Sequence, residues 1–364
     1  MLYALCFMLY AFIAQFDNLR YNELNYMKNK LKIIVILGPT ASGKSDLAIK
    51  MAKKFNGEII SADSRQIYKG MDIASGKIEP DRPGEIPTKF TRSKFTSGSH
   101  QFISSGILHH LLDITMPNKV ITVSQWQKMA EKAIKEILSD RKLPIICGGT
   151  GLYISALINN ANFPAVKPDW KLRKKLGNYS AKKLFAMLKK IDKERAKNID
   201  QNNPARLIRA IEIAKKFGSV PKIKTSCELR AMSYEFLQIG IEIPREELYK
   251  KINKRVDQMV KKGLFQEAKK LLKEYKTTPA RIATRSKLRL RSVAGGLPSM
   301  SGIGYQEIEK FLNKELTKEE AIEQIKNNTR HYAKRQMTWF QKDKRIHWIK
   351  NQRETEKLIK KFLK

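Results

Sequence analysis

The stretch Leu31–Ser45, LKIIVILGPTASGKS, decides the fold. Its apolar run Ile33–Leu37 reads as a buried strand, Gly38 opens a loop, and a helical pattern begins at Asp46. The loop residues Gly38, Pro39, Thr40, Ala41, Ser42, Gly43, Lys44 and Ser45 match G-x-x-x-x-G-K-[ST], with glycine at both fixed positions. In such a loop the backbone N–H groups and the next helix's N-terminus surround a phosphate. Lys44 then reaches its outer oxygens, and the Ser45 hydroxyl is placed to hold Mg²⁺. Which phosphate is bound stays open, because kinases, nucleotide hydrolases and transferases that expel diphosphate share this loop.

The chain of 364 residues, 42% hydrophobic, is long enough for two or three domains with a sizeable core. Its net charge of +37, from 72 Lys+Arg against 35 Asp+Glu, exceeds what solubility requires and points to a polyanion, nucleic acid first. Cys6, Cys147 and Cys227 form no C-x-x-C pair, which argues for a reducing compartment and against a disulfide framework or structural zinc. The five histidines show no H-E-x-x-H spacing, and His109 and His110 adjoin an apolar segment, where they read as structural.

Outward from the loop, Leu2–Phe16 is apolar but shorter than the roughly 20 residues of a membrane span. It also lacks a positive n-region, and Met27 is a natural start ahead of the first strand. After the phosphate loop, a helix closes at Asn56-Gly57 and Glu58–Ala62 reads as a buried strand ending on Asp63-Ser64. In a parallel α/β sheet, strand-end side chains share one crevice, so Asp63 is expected to face Lys44. Pro80–Gly106 reads as a loop insertion, Val123–Leu138 as an amphipathic helix, and Leu143–Cys147 as a strand running into Gly148-Gly-Thr-Gly151. The absence of a terminal Asp on that strand weakens a plain ATPase reading. Lys167–Lys216 is basic and helical, interrupted at Asn202-Asn203-Pro204; Phe236–Ile243 returns to a strand, and Glu246–Leu272 reads as one long helix. Lys276–Pro298 is a second insertion, and Ile303 onward reads as helical to the end. The fold class is thus α/β: a parallel-sheet core (31–165 and 236–364, the latter with C-terminal helices), an inserted helical subdomain (166–235) and an N-terminal extension (1–30).

Seven ordered motifs carry a family resemblance: GPTASGKS (38–45), SADSRQIYKGMDIASGK (61–77), HHLLDI (109–114), GGTGLY (148–153), NPARLIRAIE (203–212), GIGYQE (302–307) and YAKRQMTWF (332–340). In this order the chain resembles the tRNA dimethylallyltransferases, also called isopentenyl-tRNA transferases. The resemblance implies a P-loop core with a helical insertion, Mg²⁺ as the cation, and transfer of a prenyl group from dimethylallyl diphosphate. The acceptor it implies is N6 of an adenosine beside the tRNA anticodon, at position 37.

That chemistry suits the residues. An adenine N6 amine is a weak nucleophile whose proton must leave as the bond forms, and Asp63 is the expected base. Charge grows on departing diphosphate, where the N–H groups from Thr40 to Ser45, Lys44 and Mg²⁺ on Ser45 would stabilise it. By the family pattern Thr40 contacts the diphosphate, with Arg330 as an additional clamp. The family's tRNA contacts carry over to Asp63, Ser64, Arg65, Gln66 and Thr150 at the target nucleotide. Those to the rest of the tRNA fall on Arg173, Ala205, Arg206, Leu207, Ile208 and Arg209. The expected enzyme is a cytoplasmic monomer with no membrane partner. Its loops at 85–106 and 277–296 are longer than the family pattern and basic. The rival readings are an adenylate prenyltransferase acting on free AMP, ADP or ATP, a P-loop small-molecule kinase, and a non-catalytic RNA-binding protein.

Overall fold

The apolar run that opens the core is the strand β1 (Leu31–Leu37), whose side chains alternate between two layers. Ile33, Val35 and Leu37 enter one hydrophobic cluster, Ile34 and Ile36 the other. The computed structural model describes residues 30–81, 102–164, 166, 168–221, 234–276 and 298–364. The expectations for Met27 and the N-terminal run, and for most of the two long loops, lie outside them.

The remaining strands are β2 (Gly57–Ser61), β3 (Phe102–Ser104), β4 (Ile107–His110), β5 (Leu143–Gly148), β6 (Tyr234–Ile241) and β7 (Ile346–Ile349). They form one sheet in the order β3-β4-β2-β5-β1-β6-β7, parallel throughout except for the β3–β4 hairpin. The helices in chain order are α1 (Lys44–Lys54), α2 (Val123–Ser139), α3 (Gly151–Ile158), α4 (Trp170–Gly177), α5 (Ala181–Ile191) and α6 (Lys193–Lys197). They continue with α7 (Pro204–Phe217), α8 (Arg245–Lys261), α9 (Leu264–Lys276), α10 (Tyr305–Leu312), α11 (Lys318–Phe340) and α12 (Gln352–Leu363). Helices α1 and α12 cover one face of the sheet, and α2, α3 and α8–α11 cover the other.

Between β5 and β6 the chain leaves the sheet as α4–α7, which close around their own cluster of Leu176, Leu184, Leu188, Leu207, Ile208 and Ile211. Asn203 accepts the Arg206 N–H at 3.2 Å and Pro204 supplies a preset φ, so the Asn-Pro pair starts α7. β1 is central, with β5 on one side and β6 on the other. The carboxyl end of β1 is therefore the switch point, where an open α/β sheet places its ligand crevice.

Four expectations need correction. The end of the first insertion is a hairpin: Ser105 (φ 54) and Gly106 (φ 74) turn β3 into β4, their N–H groups bonded to Asp81 at 2.6 and 2.7 Å. The long helix is two, broken at Gly263 (φ 98). The C-terminal region is not helical throughout, because β7 pairs with β6 from Gln238↔Ile346 to Ile241↔Ile349. Finally, the first helix ends at Lys54, and Asn56 (φ 50) takes the left-handed turn. Gly57 already belongs to β2, where a Cβ would sit 2.8 Å from the Leu143 carbonyl.

Candidate active site

The phosphate loop is shaped by its backbone. Gly43 (φ 85) and Ala41 (φ 63) are left-handed, and the Ser42 N–H closes a turn on the Pro39 carbonyl at 3.3 Å. Lys44 Nζ donates to that same carbonyl at 3.2 Å, so the ammonium curls back over the loop. Burial pushes the Lys44 ammonium below its ordinary range, with the Arg255 charge acting in the same direction and Cys147 and Asp63 against it.

A cavity of about 310 Å³ opens at the carboxyl ends of β1, β2 and β5. Thr40, Lys44 and Ser45 line it from the loop, Asp63 to Gln66 from the end of β2, and Cys147 and Gly148 from the end of β5. Its far side is built from two helices. Ile252, Arg255, Val256 and Met259 come from one face of α8, and Ile325, Thr329, Tyr332 and Gln336 from one face of α11. The turn Ala74–Gly76, Leu264 and the segment Ser301–Tyr305 complete the walls. The lining thus combines cations (Lys44, Arg65, Arg255 and Arg335), the Asp63 carboxylate and a largely apolar α8 face.

Asp63 is oriented by its own chain: Oδ1 accepts the N–H groups of Arg65 at 2.8 Å and Gln66 at 3.4 Å. Its charge reaches across the cavity. It opposes the burial that lowers the Arg255 guanidinium, and it adds to the burial that raises Tyr332, which stays a protonated phenol. Arg255 Nη2 donates to the Gly76 carbonyl at 3.0 Å. Gly76 has φ 59, and a Cβ there would lie 1.6 Å from that guanidinium, so the close approach requires glycine. Gln336, 6% exposed, accepts the Thr40 N–H at 2.8 Å and donates to the Gly149 carbonyl at 2.8 Å, tying the phosphate loop to the second glycine turn.

Two family models cover the chain: isopentenyl transferase at residues 31–86 and IPP transferase at residues 95–343. The chain belongs to the IPP transferase family. It is similar to the tRNA dimethylallyltransferase of Acetivibrio thermocellus, with 42% identity over 340 residues, 91% of this chain and 96% of that protein. Against the tRNA dimethylallyltransferase of Halothermothrix orenii the identity is 39% over 330 residues, 89% of each chain. Among solved structures, the full-length tRNA isopentenylpyrophosphate transferase of Bacillus halodurans superposes with a TM-score of 0.58 at 34% identity, covering 92% of this chain and 95% of that one. A eukaryotic dimethylallyltransferase acting on tRNA gives a TM-score of 0.60 at 27% identity, covering 85% of this chain and 70% of that one.

Within this IPP transferase cavity the structure brings together Thr40, Lys44, Ser45, Asp63, Ser64, Arg65 and Gln66. Gly38, Pro39, Ala41, Ser42 and Gly43 shape the loop without lining the cavity, and the Thr40 N–H donates to Gln336. Thr150 stands behind the wall, where its hydroxyl accepts the Ser64 N–H at 3.0 Å. Arg330 is not brought to the cavity: its guanidinium is held by Asn253 at 2.7 Å, Asn327 at 2.6 Å and Glu323 at 3.0 Å. In the insertion, the stretch 205–209 does not act as a block. Leu207 and Ile208 are core residues at 0% and 3% exposure, whereas Ala205 and Arg206 are exposed. Arg173 binds the buried Glu212 through two bonds, at 2.9 and 2.8 Å, and Arg209 pairs with the same carboxylate and with the Val166 carbonyl at 3.0 Å. Arg173 thus braces α4 against α7, and Arg209 ties α7 to the Val166 segment ahead of α4.

Sequence reasoning missed Arg255, Tyr305, Tyr332, Arg335 and Gln336, all of which line the cavity. A signal existed for Arg255, a charge set among Ile252, Val256 and Met259 on the apolar face of an amphipathic helix. Gln336 lay inside a quoted motif without a role.

Proposed function

We propose that the chain transfers a dimethylallyl group from dimethylallyl diphosphate to N6 of adenosine 37 in tRNA, releasing diphosphate. The observation that carries this reading is the shared cavity: Lys44 and Ser45 line it from the phosphate loop, Asp63 from the end of β2, and Arg255 together with apolar side chains from α8. As the N6 nitrogen attacks the allylic carbon, the carbon–oxygen bond to diphosphate breaks and Asp63 takes the N6 proton. Lys44, Arg255 and the loop N–H groups stabilise the charge gathering on the leaving diphosphate. A kinase would have no use for an apolar α8 face, and a free adenylate would have little use for the exposed Arg206 on a basic helical insertion. The relatives' names support tRNA as the acceptor.

Mg²⁺ fits the donor set. Among the described residues no group of three or more His, Cys, Asp or Glu side chains is placed to hold a metal ion. A P-loop Mg²⁺ needs few protein ligands because waters and substrate phosphates supply the rest, and Ser45 provides the hydroxyl. Bound there, the cation would neutralise phosphate charge. We also propose that the enzyme works in the cytoplasm as a monomer. Among the described residues no helix is long and apolar enough to cross a membrane.

The test is mass analysis of nucleosides from unmodified tRNA incubated with the protein, dimethylallyl diphosphate and Mg²⁺. An adenosine heavier by one five-carbon prenyl unit is expected. Label moving from ATP to a small acceptor, with tRNA unchanged, would favour the kinase instead.

A further inference from the structure

The turn Asp72–Lys77 is one wall of the cavity, lined by Ala74, Ser75 and Gly76. It closes on itself through Gly76 N–H to Ile73 O at 2.9 Å and Lys77 N–H to Asp72 O at 3.0 Å. The N–H groups of Asp72, Ile73 and Ala74 leave the turn and converge on one carboxylate, Glu267 of α9, at 2.9, 2.8 and 3.2 Å. Glu267 also accepts the Tyr305 hydroxyl at 2.7 Å, so both of its oxygens are used: Oε2 by Asp72 and Ile73, Oε1 by Ala74 and Tyr305. At the other end of the turn, the Gly76 carbonyl accepts Arg255 at 3.0 Å and Gln66 at 3.3 Å. Lys77 Nζ anchors the base of the turn to the Tyr68 carbonyl at 2.9 Å and to the carboxylates of Asp72 and Asp113.

We propose that Glu267 is a positioning residue of the transfer site: its carboxylate fixes the turn 72–77, whose Gly76 carbonyl aims the Arg255 guanidinium into the cavity. Glu267 does not itself line the cavity, so it acts through the wall it holds. Charge-assisted bonds to three consecutive amides set the turn more firmly than neutral ones would, and a shift of about 1 Å at a clamp is enough to cost rate. The inference rests on the proposed function in one respect, that diphosphate is the group Arg255 meets.

Glu267→Gln tests it. The amide keeps one acceptor oxygen and turns an NH₂ group toward two of the four donors. Inorganic diphosphate with Mg²⁺ is titrated calorimetrically, and steady-state transfer is measured with dimethylallyl diphosphate and tRNA. Glu267→Gln is expected to weaken diphosphate and raise the KM for the prenyl donor by about tenfold or more, with the KM for tRNA within about twofold. Glu247→Gln, at an exposed α8 carboxylate paired with Lys251 at 2.7 Å, is the control and changes neither. Arg255→Lys should lose as much, and adding Glu267→Gln to it should cost nothing further, since the two act in series. A folded Glu267→Gln protein with diphosphate affinity and donor KM within twofold of wild type overturns the inference, as do losses that multiply in the double variant. Wild type that binds diphosphate but moves no prenyl group overturns the proposed function instead, and the diphosphate affinities then decide the positioning role alone.

Discussion

Replacing Gln336 by leucine keeps the side chain's size and removes both of its hydrogen bonds. Oε1 accepts the Thr40 N–H and Nε2 donates to the Gly149 carbonyl, each at 2.8 Å, from a side chain on α11 that is almost completely buried. The variant strands two backbone groups. A buried, unsatisfied polar group costs about 1–3 kcal/mol, toward the upper end for enclosed Gly149 and the lower end for the half-buried Thr40. The sum is about 4 kcal/mol. Urea unfolding should show this as a lower midpoint at an unchanged slope. Gly149→Ala offers an independent route, because its Cβ would lie 2.2 Å from Gln336 Nε2 and would displace the amide. A Gln336→Leu protein that loses less than about 1 kcal/mol would refute the reasoning, since neither backbone group could then depend on the side chain.

Asp63→Asn should lower turnover by about 10²–10⁴ while tRNA affinity, measured by filter binding, stays within about threefold. In the insertion, Arg206→Glu should weaken tRNA binding and flatten its salt dependence by about one counterion or more, whereas Leu207→Ala should lower the melting temperature of the α4–α7 cluster without changing that slope. Burial, aided by the His110 charge, lowers His109 from about 6.5 to about 4, so the folded protein holds it neutral where the unfolded chain takes up a proton. Its contribution is intact above pH 6.5 and is lost as the pH falls toward 4, amounting to about 3 kcal/mol; His109→Asn should remove that part of the pH dependence of unfolding. Glu212 is a second buried group held by its partners. Burial pushes it up, but Arg173, Arg209 and the Asp169 N–H hold it below the ordinary carboxylate range, so Glu212→Gln should be costly at neutral pH and matter least in acid.

The central sheet was legible because β1, β2 and β5 are short buried runs, each followed by residues with one reading: a phosphate loop, an Asp-Ser step, a double glycine. The groove between Lys44 and Asp63 followed from strand direction. The opposite wall was not legible. Gln336 meets Thr40 across 296 positions of chain, and no local pattern records such a pairing. The hairpin at Ser105-Gly106 and the four-residue β7 were passed over because each is shorter than the periodicity that reveals a strand. At 205–209 a contiguous motif suggested contiguous contacts, but a helix of 3.6 residues per turn sends Leu207 and Ile208 inward and leaves Arg206 outside. Arg330 lies beside the motif but off the cavity-lining face of α11, and neighbouring polar groups take up its guanidinium.

The insertion keeps its own hydrophobic cluster and, among the described residues, shares no buried side chain with the clusters around the sheet. Cooperativity in a protein follows shared packing, so separate clusters predict two thermodynamic units rather than one. Heating should loosen them at different temperatures, and a single melting point would describe neither. The same independence bears on descent. Substitutions that retune how the helical unit grips a nucleic acid need not be paid for in the sheet, so acceptor preference can drift while the groups around Lys44 and Asp63 stay fixed.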